Sequence, residues 1–118
     1  MKYNTNQMNI CKVYPVTSER TGQPVKNQYL IKCGEVFIFQ SYESIVVEYD
    51  REAKRMTIDN SVALCSRTTA KYFNQFLINF GCMDFGKTTR EEIKERIKAV
   101  PNGYTVVDMN EGVKVYTE

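Results

Sequence analysis

Ser66-Arg-Thr-Thr-Ala-Lys-Tyr-Phe-Asn-Gln-Phe-Leu-Ile-Asn-Phe80 decides the fold: as a helix it covers a sheet, and as a strand it would lead into a nucleotide-binding loop. The spacing predicts a helix. Phe73, Phe76, Leu77 and Phe80 recur at i, i+3, i+4 and i+7, which lines one helical face, and the hydroxyls of Ser66, Thr68 and Thr69 supply candidate N-caps. The helix runs from about Thr68 to Phe80 and ends at Gly81, which suits a left-handed C-terminal cap.

The next residues, Gly81-Cys-Met-Asp-Phe-Gly-Lys87-Thr88, satisfy the P-loop pattern G-x-x-x-x-G-K-[ST]. In a P-loop the backbone amides cradle phosphate, the lysine reaches the terminal phosphates and the hydroxyl binds magnesium, but the loop must leave a buried parallel strand. This one leaves a helix. Thr105-Val-Val-Asp108 resembles a magnesium-holding strand end, yet only ten residues follow Asp108, too few for the rest of a doubly wound sheet. The string reads better as a helix-to-helix connection. A second helix is expected from about Thr89 to Ala99, opened by a capping box of Thr89 with Glu92 or Thr88 with Glu91. Ile93, Ile97 and Val100 form its narrow apolar stripe, and Pro101 stops it.

Strands flank this helical region. Asn9 to Val16 alternates enough to be a strand, and Pro15 argues for an edge. Thr17 to Asn27, with Gly22 and Pro24, reads as a loop. Gln28 to Cys33 and Val36 to Gln40 form a hairpin around Gly34, and Val36-Phe-Ile-Phe39 is apolar on both alternating faces, as in a central strand. Ser44 to Tyr49 and Lys54 to Asp59 form a second hairpin across Asp50-Arg-Glu-Ala53. Val62 to Cys65 reads as a short further strand. Tyr104 to Met109 and Val113 to Thr117 close the chain as a hairpin around Asn110-Glu-Gly112. The fold class is therefore α+β in a single domain over residues 1–118: an antiparallel meander of about five to seven strands with two helices, the first packed on the sheet.

Composition limits the chemistry. The chain has 118 residues, 42% hydrophobic and 25% charged, which matches one globular domain. Lys plus Arg number 16 against 14 Asp plus Glu, so no general pull toward nucleic acid or an anionic membrane exists. There is no histidine, which removes Ser-His and Cys-His nucleophile machinery. Glu43, Glu48, Asp50 and Asp59 supply carboxylates but form no recognisable acid/base pair. No catalytic residue and no cofactor is assigned. The polar start, Met1-Lys-Tyr-Asn-Thr-Asn-Gln-Met-Asn9, lacks the apolar core of a secretory signal, and no apolar run is long enough to span a bilayer. A cytoplasmic protein without membrane contact is expected. In that compartment Cys11, Cys33, Cys65 and Cys82, widely spaced and without a Cys-x-x-Cys pair, read as four small buried thiols rather than disulfides or zinc ligands.

Two binding surfaces can be read from side chains. The eight tyrosines offer interface residues, since tyrosine is enriched at protein contacts, and Tyr3, Tyr14, Tyr42 and Tyr116 are the candidates. Alternatively, Phe37 and Phe39 with Lys32 nearby could stack single-stranded bases, aided by Arg90, Lys94 and Lys98 of the second helix, although core aromatics under a helix explain the same pattern.

The strings Gln40-Ser-Tyr-Glu-Ser-Ile-Val46, Tyr49-Asp50, and Ser66-Arg-Thr-Thr-Ala-Lys71 followed by Gln75-Phe-Leu77 resemble a family of small proteins of unknown function from phages and mobile elements of gut bacteria. The likeness spans about Gln28 to Lys98. Members of that family often carry a histidine early in the helix where this chain has Tyr72, so no role of that histidine carries over. The resemblance implies no catalytic residues. It implies a phage-like origin and a small non-enzymatic protein that binds a host protein, such as a CRISPR effector, inside the bacterial cell.

Overall fold

Every strand pairs with its neighbour in sequence, so the chain lays down one seven-stranded antiparallel meander in the order β1 to β7. The computed structural model describes residues 11–80 and 86–118. The strands are β1 (Lys12–Thr17), β2 (Pro24–Cys33), β3 (Val36–Ser41), β4 (Ser44–Asp50), β5 (Arg55–Asp59), β6 (Tyr104–Asp108) and β7 (Lys114–Thr117). Between β5 and β6 lie the helices α1 (Asn60–Ala63), α2 (Arg67–Phe80) and α3 (Lys87–Ala99). This is the expected α+β architecture, with the phenylalanine-rich helix on the sheet.

Because side chains alternate along a strand, the register separates two faces. Rows such as Leu30, Phe39, Val47 and Ile58, or Phe37, Tyr49, Met56, Val107 and Val115, face the helices. They meet Phe73, Phe76 and Leu77 of α2 and Ile93 and Ile97 of α3 in the main core. The opposite face carries Val13, Ile31, Ile38, Glu48, Thr57, Val106 and Tyr116 in one continuous row. A second, smaller cluster forms there from Cys33, Val36 and Ile38 with Cys11, Ile31 and Ile45. β3 is thus buried on both sides, as its two-faced apolar pattern requires.

Four local expectations are corrected. Val62 to Cys65 is no strand; Asp59 accepts from the amide of Ser61 at 3.0 Å and starts the single turn α1. β2 begins at Pro24 rather than Gln28, because proline is tolerated as the first residue of a strand, where its missing N–H breaks no ladder bond. α3 starts at Lys87 with Gly86 as its N-cap and no side-chain cap bond, so neither Thr88 nor Thr89 opens a capping box. The four cysteines are not four buried thiols: Cys11 and Cys33 form a disulfide and Cys65 is an exposed free thiol. The expected Gly81 cap, Cys82 and most of the P-loop string lie outside the described residues. The string follows a helix ending at Phe80, and each named strand pair is antiparallel.

Candidate functional site

A trough of about 790 Å³ opens at the β1–β4 end of the helix-free face, lined by Val13, Tyr29, Ile31, Gln40, Tyr42 and Glu43 among others. Its floor follows from register. Val13 lies opposite Ile31, and Tyr29 opposite Gln40, so alternate residues of three strands turn toward one side. Its wall is the β3–β4 turn, in which Tyr42 adopts φ 55°, a left-handed conformation unusual for an aromatic residue. Two bonds hold the backbone there: the Tyr42 amide donates to the Asn27 carbonyl at 2.7 Å, and Gln40 Nε2 donates to the Tyr42 carbonyl at 2.7 Å. The ring is left outside. Tyr42 is 54% exposed and Val13 62% exposed, so two large apolar side chains stand accessible on a rim they share with the polar Asn27, Gln40, Glu43 and Ser44.

Beside it runs β1, an edge strand. Cys11 and Cys33, with Cα atoms 4.1 Å apart, have the spacing of a non-hydrogen-bonded antiparallel pair. Counting along the register, Val13 and Pro15 are then outward-facing as well, so the absent N–H of Pro15 removes an edge donor and no ladder bond. Unlimited strand addition at this edge is blunted.

The expected tyrosines are not one patch. Tyr42 belongs to the trough. Tyr14, 45% exposed, sits on β1 but in the row of Leu30 and Phe39, on the helix side. Tyr116, 38% exposed, is on β7 at the far edge, six strands from β1, or roughly 29 Å along the sheet. Tyr3 lies outside the described residues. Val13, Tyr29 and Ile31 were missed; the signal for them was odd-numbered alternation once β1 is paired with β2.

The base-stacking platform is corrected. Phe39 is 1% exposed and packs against Phe76, so it presents no face to a base. Phe37 is partly buried beside Phe80 and Tyr49, with Lys32 and Arg51 at 5.8 and 5.6 Å from its ring centre. Arg90, Lys94 and Lys98 do lie at i, i+4 and i+8 on α3, flanking the buried Ile93 and Ile97.

The carboxylates are dispersed. Asp50 accepts the amides of Glu52 and Ala53 in the β4–β5 turn, Asp59 starts α1, and Glu43 borders the trough. Glu48 is buried on the helix-free face, and burial, with Asp50 nearby, pushes its carboxyl above the usual range. Among the described residues no cluster of three or more His, Cys, Asp or Glu could hold a metal. No helix among them is long and apolar enough to cross a membrane.

No curated protein and no solved structure matches the chain. A family model does match, over residues 3–97, and it carries the description of a family of unknown function. On that match, which covers most of its length, the chain belongs to the family DUF8033.

Proposed function

We propose that this protein is a non-enzymatic binding module that acts by occupying the surface of another protein. The observation that carries the reading is the trough: Val13 and Tyr42 stand exposed on a frame of paired strands, the combination of an aromatic anchor and rigid support that suits a binding hot spot. The near balance of basic and acidic residues agrees, because it supplies no general attraction to a polyanion. The finer reading is that the target is a defence protein of a bacterial host, such as a CRISPR effector, met in the cytoplasm. Its support is the resemblance to proteins of phages and mobile elements.

The test is photo-crosslinking. A photoreactive phenylalanine at position 42, in bacterial lysate, should capture one discrete protein, and the same probe at position 116 should not. Equal capture at both positions, or none at either, counts against the reading. A second reading, single-stranded nucleic-acid binding, now rests on Arg90, Lys94 and Lys98 rather than on Phe39. It requires affinity for labelled RNA or DNA that falls steeply with salt.

A further inference from the structure

We propose that the Cys11–Cys33 disulfide is a redox latch on β1, and that reduction by a dithiol of the thioredoxin class frees this strand from the sheet. β1 also carries Val13 of the trough, so its release would remove that side of the trough as well. Among the described residues β1 is joined to β2 on one side only, and all its side chains are exposed except that of Val16, which is half-buried. Its pairing is interrupted toward its C-terminal end, where the register shifts between Pro15 and Thr17. The far end is held by the turn in which the Ser18 amide donates to the Gln23 carbonyl, and by Gln75 Nε2 donating to the Thr17 carbonyl at 3.0 Å. Water can replace both bonds, because the acceptor residues Thr17 and Gln23 are exposed and the donors Ser18 and Gln75 are only half-buried. The near end is held covalently, at a residue pair that shares no ladder bond.

What β1 covers makes its release consequential. Val16 and Thr17 border a slot of about 160 Å³ whose other walls are Leu30, Phe39, Phe76 and Phe80. Withdrawing β1 would open that slot and turn β2, ten residues with proline only at its first position, into the sheet edge. Two sulfurs of unequal access set the course of reduction. Cys33 is 3% exposed and Cys11 is half-buried, so a reductant thiolate reaches Sγ of Cys11. That attack forms a mixed disulfide and expels Cys33 as a thiolate, which takes a proton. The second thiol of the reductant then closes its own disulfide and releases Cys11 as a thiol. One S–S bond is broken and one formed, with two electrons and two protons passing to this chain. In a reducing cytoplasm, disulfides that do form are mostly transient or redox-sensing, which is the behaviour a latch needs.

Hydrogen exchange on the full-length chain carrying Cys65→Ser and Cys82→Ser tests the latch. Peptide mapping without reductant should recover the Cys11–Cys33 link. After treatment with thioredoxin or dithiothreitol, the inward-facing amides of Lys12 and Tyr14 and of their partners Lys32 and Leu30 should exchange about three-hundredfold faster, the factor expected for opening a loop of this size, while those of β4 to β6 keep their protection. Cys11→Ser should produce the same pattern with no reductant. The latch is overturned by an oxidised chain that lacks the link, by unchanged exchange at the Lys12 and Tyr14 amides after verified reduction, or by a rise shared equally by every strand.

Discussion

Replacing Asn60 by alanine should destabilise the fold by about 3 kcal/mol, far more than its place in a one-turn helix suggests. Asn60 is 5% exposed and joins two parts of the chain. Its Nδ2 donates to the Val100 carbonyl at 2.8 Å, and its Oδ1 accepts from the Thr105 hydroxyl at 2.7 Å. The amide of Asn60 donates to the Gly103 carbonyl and survives the change. Two lost bonds are worth about 1 kcal/mol each, and stranding the fully buried Thr105 hydroxyl adds about 1 kcal/mol or more. Thr105→Val, which removes that hydroxyl but keeps the shape, should cost about 1.5 kcal/mol alone. In Asn60→Ala with Thr105→Val no hydroxyl is stranded, so the double variant should be less destabilised than the sum by about 1 kcal/mol or more. Urea denaturation of the four proteins measures the cycle. A single-variant loss below about 1 kcal/mol, or additivity within about 0.3 kcal/mol, would refute the reasoning.

Other perturbations have equally definite outcomes. Phe73→Ala empties the fully buried centre of the α2 face and should lose about 3 to 5 kcal/mol in the same assay. Gln28, fully buried with neither amide atom hydrogen-bonded, should behave in the opposite sense: Gln28→Met should stabilise by about 1 kcal/mol, and a comparable loss would mean the amide is satisfied. Gly112 holds φ 85° in the β6–β7 turn, so Gly112→Ala should destabilise by about 1 kcal/mol despite open space around it. Burial raises the pKa of Glu48 in the fold, so the folded chain binds its proton more tightly than the unfolded one and stability falls as pH rises above the ordinary value of 4.5. Glu48→Gln should therefore stabilise at pH 7, with the gain shrinking as pH falls through the raised folded value toward 4.5 and gone below it in parallel melts.

What could be read in advance follows from the length of each pattern. Phe73, Phe76, Leu77 and Phe80 repeat over two turns, long enough for helix and strand periods to diverge, so α2 was legible. Val62 to Cys65 is a four-residue apolar run, for which the two periods cannot be told apart, and the only local helix signal is the capping carboxylate of Asp59. The start of β2 was hidden because Gly22 and Pro24 carry turn chemistry, although proline is compatible with a first strand position. The disulfide depends on register between strands, and Cys11 and Cys33, 22 residues apart, meet only once β1 folds back on β2. The trough is hidden for the same reason. Tyr42 could be named in advance only as one of four interface tyrosines, by residue type, whereas Val13, Tyr29 and Ile31 become a surface only through cross-strand pairing. Phe39 failed as a stacking residue because burial under α2 is a tertiary property.

The central claim, that a protein partner is held by Val13 and Tyr42 at the trough, is tested most directly by calorimetric titration with the protein captured at position 42. Val13→Asp places a charge on the rim and should weaken binding at least about tenfold, while Arg90→Glu with Lys94→Glu should change it less than about twofold. Undiminished affinity for Val13→Asp, with a large loss in the double charge reversal, would contradict the account.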